Sequence, residues 1–318
     1  MKPLEGKIIL VAGATRGAGR GIASMLGEAG ATVYCSGRSV KGAPASGPSR
    51  PETIDETAEI VTELGGIGIP VRTDHSKEEE VIALMDRIRK DHGHLDVLVN
   101  DVWGGDALMQ WNLPFWENDL SKGFQMMRQA IDTHIITAKY AVPLMLPAKK
   151  GLIVEVTDGD GYFYRGQLFY DLVKTTIIRL AYDMSQDLEP HGIGALSVTP
   201  GFLRSEAMLE HFGVTESNWK DGARVDPNFI ASETPWFVGR AIAALAADPS
   251  VFEKRGKVFS SWNLSDEYGF SDRDGTRPHW GNYVRTTIPE YLHKPLDDEF
   301  YSYWKLISGK KIGGDAWV

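Results

Sequence analysis

The chain has 318 residues, a formal charge of −9, 42% hydrophobic and 24% charged residues. That length buries a substantial core in one large domain or two small ones. The acidic balance argues against nucleic-acid binding as the main function, which needs clustered Lys and Arg. A single cysteine, Cys35, excludes an intrachain disulfide and fits a reducing compartment.

The amino-terminal run IILVAGA is too short to span a membrane and lacks the pattern of a signal peptide. It reads as a buried strand in a cytoplasmic protein. Gly21 to Ala29 follows with Ile22, Met25, Leu26 and Ala29 on one helical face. Then come ATVYCSG (strand), PETIDETAEIVTEL (helix), IGIPVR (strand), KEEEVIALMDRIRK (helix) and LDVLVN (strand). One long helix is predicted from about Leu120 to Leu146, a fifth strand at GLIVEVT, a helix over Leu168 to Leu188, and a sixth strand at IGALSVT. Strands alternating with helices predict an α/β fold, a Rossmann-type doubly wound parallel sheet. Uninterrupted apolar strands such as IILVA are buried on both faces, as a parallel sheet requires.

Three stretches break the rhythm. RSVKGAPASGPSRP, 38 to 51, reads as a loop. The segment at about 203 to 232 is mixed in character. From 271 to 318 the chain is aromatic and irregular, too apolar for a solvated linker. The expected layout is one domain over 1–270 and a carboxy-terminal extension over 271–318, packed on its own domain or a neighbouring subunit.

Directly after the first strand stands AGATRGAG. Gly13, Gly17 and Gly19 let the backbone turn sharply and let a pyrophosphate approach the next helix's amino end. Thr15 and Arg16 lie within that loop. A strand before it and a helix after it make this a dinucleotide-binding pattern rather than an isolated run of glycines. The second strand ends YCSGR, with no acid for a ribose 2′-hydroxyl. Arg38 and Arg16 are two guanidiniums suited to a 2′-phosphate, so NADP(H) is favoured over NAD(H). Asp74 is a candidate for the adenine edge and for the cap of the following helix. Cys35 reads as a small core residue.

Tyr170 and Lys174 are four apart on a predicted helix, so their side chains share a face. A cation beside a phenol lowers its pKa, and such a tyrosine exchanges protons with a carbonyl or alcohol oxygen. With Asn100 after the fourth strand and Pro200-Gly201 after the sixth, the chain resembles the short-chain dehydrogenase/reductase family over about residues 5 to 262. The resemblance implies one doubly wound domain, a homodimer or homotetramer, and hydride transfer between NAD(P) and a small-molecule carbonyl or alcohol. It implies Tyr170 as acid/base, Lys174 as holder of the nicotinamide ribose, and Pro200-Gly201 near the nicotinamide amide.

The chain departs from the family in places. Ala12-Gly13 stands for the usual Thr-Gly, and Asn100-Asp101-Val102 for Asn-Asn-Ala. Counting along the long helix puts Ala130 at the family's structural Asn, with Thr133 and His134 one turn away. The serine expected some dozen residues before Tyr170 is absent; Asp158 stands at its place and Thr157 one residue earlier. An ionised aspartate cannot donate a hydrogen bond to a substrate oxygen. Either Thr157 supplies the hydroxyl, or Asp158 donates as a neutral acid, or the protein is a dinucleotide-binding sensor, scaffold, lyase or isomerase. Tyr162, Phe163, Tyr164 and Arg165 either line the substrate pocket or pack and solvate. Asp158-Gly-Asp160-Gly lacks the remaining ligands of a calcium loop, and the histidines show no metal-binding spacing. The expected partners include no metal, no nucleic acid and no membrane.

Overall fold

Seven strands form one parallel sheet in the order β3-β2-β1-β4-β5-β6-β7. This computed structural model describes residues 2–43, 50–160 and 164–288. The strands are β1 (Ile8–Ala12), β2 (Thr32–Gly37), β3 (Ile67–Arg72), β4 (Val97–Asn100), β5 (Gly151–Val156), β6 (Ile193–Thr199) and β7 (Val258–Ser260). The helices are α1 (Gly17–Glu28), α2 (Ile54–Glu63), α3 (Glu78–His92), α4 (Leu120–Met127), α5 (Thr133–Ala141), α6 (Leu168–Leu188), α7 (Glu206–His211), α8 (Pro235–Ala247), α9 (Ser261–Tyr268) and α10 (Trp280–Thr287).

The order reverses beside β1, between β2 and β4. In such a sheet the crevice at the carboxyl ends of these strands is where ligands bind. Both faces are covered. Val11, Val33, Val99, Val154 and Val198 pack with α1, α2 and α8 on one side, and Leu10, Tyr34, Leu98 and Ile153 with α3 and α5 on the other. Alternate residues of each strand therefore feed opposite cores. Helices α1 and α8 meet backbone to backbone, for a Cβ on Gly21 would lie 2.1 Å from the Pro235 carbonyl oxygen.

Two features depart from the sequence reading. The helical stretch expected from about Leu120 to Leu146 is continuous but not uniform: a π-turn over Arg128–Asp132 joins α4 to α5, and 3-10 turns follow α5. One extra residue in the turn is invisible to apolar periodicity. Ala130 lies in that π-turn and packs with Phe169, Val173 and Ile177 of α6. Strand β7 is three residues long and follows a charged turn, too short to give a signal of its own.

The segment after β6 contributes α7 and two 3-10 turns. The described part of the tail lies on the domain: the Trp280 ring is 5.8 Å from that of Phe202, and the Tyr283 hydroxyl donates to Asn228 at 3.3 Å. The tail beyond 288, and Tyr162 and Phe163, lie outside the described residues.

Candidate active site

Gly13 ends β1 with φ +91°, and a Cβ there would lie 2.5 Å from the carbonyl oxygen of Asp101. Its amide and that of Ala14 donate to the Ser36 carbonyl, both at 3.0 Å. The chain then enters α1 at Gly17, with Arg16 as a cap residue whose side chain caps nothing. Thr15 is buried, and its hydroxyl packs against Gly37 at the end of β2. The amino end of α1 thus starts directly after the Gly13 turn, where an anion site would be placed.

Arg38 is exposed and its guanidinium lies near Gly104; against burial, the Ser76 hydrogen bonds first and the Arg38 charge after them hold the Asp74 carboxyl below its ordinary range. Asp74 does not cap α3. Its carboxylate accepts from the Ser76 amide and hydroxyl, and Lys77 stands at the cap position. Glu80 reaches back to accept the Asp74 amide at 2.7 Å and ties the turn before α3 to its first turn. Arg16 lies 4.0 Å from Glu52, a buried acid from just before α2 that the sequence reading did not single out.

The Gln167 side chain accepts from the Tyr170 amide at 2.6 Å and starts α6. Tyr170 is therefore in the first turn and Lys174 in the next. The Tyr170 hydroxyl donates to Asp158 Oδ2 at 2.7 Å. Trp103 and Trp111 meet the Tyr170 ring edge-on, at 5.5 and 5.4 Å. The Lys174 ammonium lies 4.2 Å over the Trp103 ring and 5.5 Å from the Tyr170 ring. Burial and the neighbouring Asp158 charge push the phenol well above its ordinary pKa. Burial lowers that of Lys174, against the pull of Asp158 and Asp101. The charge that opposes this rise is Arg165 rather than the expected Lys174, and burial and the carboxylate outweigh it.

Thr157 points elsewhere. Its hydroxyl donates to the Lys174 carbonyl at 2.7 Å and ties β5 to α6. Arg165 does not sit in solvent. It is buried, donates to the Asp158 carbonyl at 2.6 Å and to Asp171 at 2.8 Å, and so fastens the turn at Asp158 to the start of α6. On the other side, the Gly159 amide donates to Thr199 Oγ1 at 2.7 Å, linking this turn to the end of β6. After Pro200, the Gly201 amide donates to Glu233 at 2.9 Å, and Ser261 donates to the same oxygen at 2.6 Å. Burial pushes Glu233 up to about 8.

Asn100 ends β4 with its amide nitrogen donating to Glu155 at 2.7 Å and to the His134 carbonyl at 3.3 Å. The other Glu155 oxygen pairs with His134 Nδ1, and His134 Nε2 lies 3.0 Å from the Val102 carbonyl. A carbonyl only accepts, so Nε2 is the donor of that contact. This buried cluster anchors the 101–103 turn that carries Trp103. Asp101 has its carboxyl against Gly19. Burial pushes it up to about 7, opposed by Lys174, by His134 and by a hydrogen bond from the Gly19 amide.

The family described as short chain dehydrogenase matches residues 7–213. The chain belongs to the short-chain dehydrogenase/reductase family. It is 36% identical to mouse dehydrogenase/reductase SDR family member 1 over 278 residues, 86% of this chain and 85% of that one. The human protein of the same name is 34% identical over 283 residues, with the same shares covered. A 7alpha-hydroxysteroid dehydrogenase of Clostridium sardiniense is 27% identical, covering 66% of this chain and 76% of its own.

Among solved structures, a short chain dehydrogenase of Mycobacterium thermoresistibile superposes with a TM-score of 0.71 at 19% identity, over 87% of this chain and 92% of that one. It supports the same fold. As a short-chain dehydrogenase/reductase, the protein is an enzyme of a family that uses a nicotinamide cofactor. Two features at the crevice fit such a group: the Gly13 turn leaves no space for a Cβ, and Arg38 is exposed near Gly104. No helix among the described residues is long and apolar enough to cross a membrane.

Proposed function

We propose that the protein is an NADP(H)-dependent reductase or dehydrogenase acting on a carbonyl or alcohol carbon, with Tyr170 as acid/base. The observation that carries this reading is the Tyr170–Asp158 hydrogen bond of 2.7 Å. Asp158 holds the tyrosine's acidic hydrogen in the position where the usual serine is missing.

Bound nicotinamide supplies or takes the hydride. Tyr170 gives its proton to the carbonyl oxygen on reduction and takes it back on oxidation. Asp158 accepts from the phenol and so fixes where its hydrogen points before substrate arrives. Lys174 supplies positive charge beside the phenol and a donor for the nicotinamide ribose. Thr157 fixes the height of α6 on β5 and so positions both. Trp103 and Trp111 wall the site and keep water from the phenol.

The preference for NADP(H) rests on the end of β2, where Ser36 and Gly37 stand in place of an acid and Arg38 is exposed. Gly13, Thr15, Arg16, Gly17 and Gly19 form the cradle for the dinucleotide, Asp74 borders its adenine end, and Asn100, Pro200 and Gly201 border its nicotinamide end.

The test is NADPH oxidation over a panel of aldehydes, ketones and quinones, with wild type beside Tyr170→Phe and Asp158→Ala. Turnover by the wild type that both variants lose supports the reading. Turnover that Tyr170→Phe retains overturns it.

A further inference from the structure

The amino end of α1 is not open in this structure. The Gly17 amide donates to Glu206 Oε2 at 2.8 Å. The other oxygen of the same carboxylate lies 3.9 Å from Arg20 Nε. Glu206 begins α7, within the segment that follows Pro200-Gly201. One turn on, at i+4, Glu210 pairs with Arg50 at 2.7 Å. Two acids on one face of α7 thus meet the amide and the guanidiniums that border the dinucleotide cradle.

A carboxylate on a helix amino end satisfies the same donors as a phosphate oxygen, through the same hydrogen bond and the same helix field. Both cannot hold one N–H in full strength. We infer that Glu206 is a built-in competitor for the cofactor's diphosphate: dinucleotide binding must move the Glu206 carboxylate off Gly17, and with it the seating of α7. Cofactor affinity is then set by the position of a segment that also follows the nicotinamide-facing turn. The apparent affinity is the intrinsic one reduced by the fraction of molecules in which the amide is free.

This rests on dinucleotide binding, though not on redox turnover. The competition acts on the diphosphate, which NADPH and NADH share. Releasing it therefore strengthens both by the same factor, unlike any change at the 2′-phosphate.

The experiment is direct binding, by calorimetry or by quenching of tryptophan fluorescence, of NADPH, NADH and inorganic pyrophosphate. Wild type is compared with Glu206→Gln, Glu206→Ala and Glu210→Gln. Both Glu206 variants are expected to bind all three probes more tightly, NADPH and NADH by about tenfold and equally, and Glu210→Gln by less. Amide hydrogen exchange on the unaltered protein gives a second readout, independent of whether a variant folds: Gly17 is expected to be protected before any cofactor is added. Unchanged or weaker binding in the Glu206 variants overturns the inference. So does a Gly17 amide that exchanges freely, or a wild type and variants that bind none of the probes. Tighter binding in the variants with no turnover of any carbonyl would leave this inference standing and remove the reductase reading.

Discussion

The Tyr170 hydroxyl donates to Asp158 Oδ2 across 2.7 Å, and the two residues reach each other because Arg165 ties the turn behind Asp158 to the first turn of α6. The pairing gives the phenol a raised pKa, through burial first and the carboxylate second. Replacing Asp158 by Asn removes the charge and leaves a neutral partner. The phenol is expected to ionise at lower pH in Asp158→Asn than in the wild type. Difference absorbance of tyrosinate during a pH titration, with Tyr170→Phe to assign the signal, checks this. An unchanged titration would mean that Asp158 does not act on the phenol.

Proton transfer at Tyr170 sets the expected loss of turnover in Tyr170→Phe at about 10²- to 10⁴-fold, the range of a single general acid or base. Thr157→Val should lose far less, because its hydroxyl is committed to the Lys174 carbonyl and faces away from the phenol. Steady-state kinetics on one accepted carbonyl substrate compares the two. Equal losses would give Thr157 a role beyond positioning.

Asp101 carries a pH dependence of stability. Its pKa in the folded chain is about 7, above the ordinary 3.8. The folded state therefore keeps a proton that the unfolded state releases, and stability falls as pH rises from about 4 to about 7. Asp101→Asn removes this fall. The variant should match the wild type near pH 4 and be more stable at pH 8 by up to about 4 kcal/mol, roughly three pKa units at about 1.4 kcal/mol each, read as a higher melting temperature. Thermal melts at both pH values decide it; a gain of the same size at pH 4 would point to a different cause.

Glu155 serves both Asn100 and His134 at the centre of the sheet. Glu155→Ala leaves two buried donors without an acceptor and is expected to cost about 3–5 kcal/mol. Glu155→Gln keeps one acceptor and should cost less. Urea unfolding of both variants measures this. A neutral Glu155→Ala would show that the cluster reorganises freely.

Arg38→Ala tests the cofactor preference. Loss of a charge-assisted hydrogen bond to a 2′-phosphate is expected to weaken NADPH about tenfold to a hundredfold and to leave NADH nearly unchanged. Dissociation constants for both, measured on wild type and variant, check it. Equal weakening of the two would move Arg38 away from the 2′-phosphate.

The sequence by itself determined the parallel sheet, the glycine turn after β1, and the sharing of one helix face by Tyr170 and Lys174. Each of these is written in neighbouring residues: an apolar strand, a glycine where φ is positive, a spacing of four on a helix. It also marked Asp158 and Thr157 as the two candidates for the missing serine, without separating them. Only the tertiary structure decided that the Thr157 hydroxyl turns to α6 while Asp158 meets the phenol, because hydrogen-bond direction depends on how α6 is seated on β5. It alone brought Glu206 to Gly17, residues 189 positions apart in the chain. It likewise brought Glu155 to His134 and placed Asp101 against Gly19. A charged side chain looks the same in sequence whether it meets water or a buried partner. The packing of the sheet and helices selects between these, and that packing is a property of the whole chain.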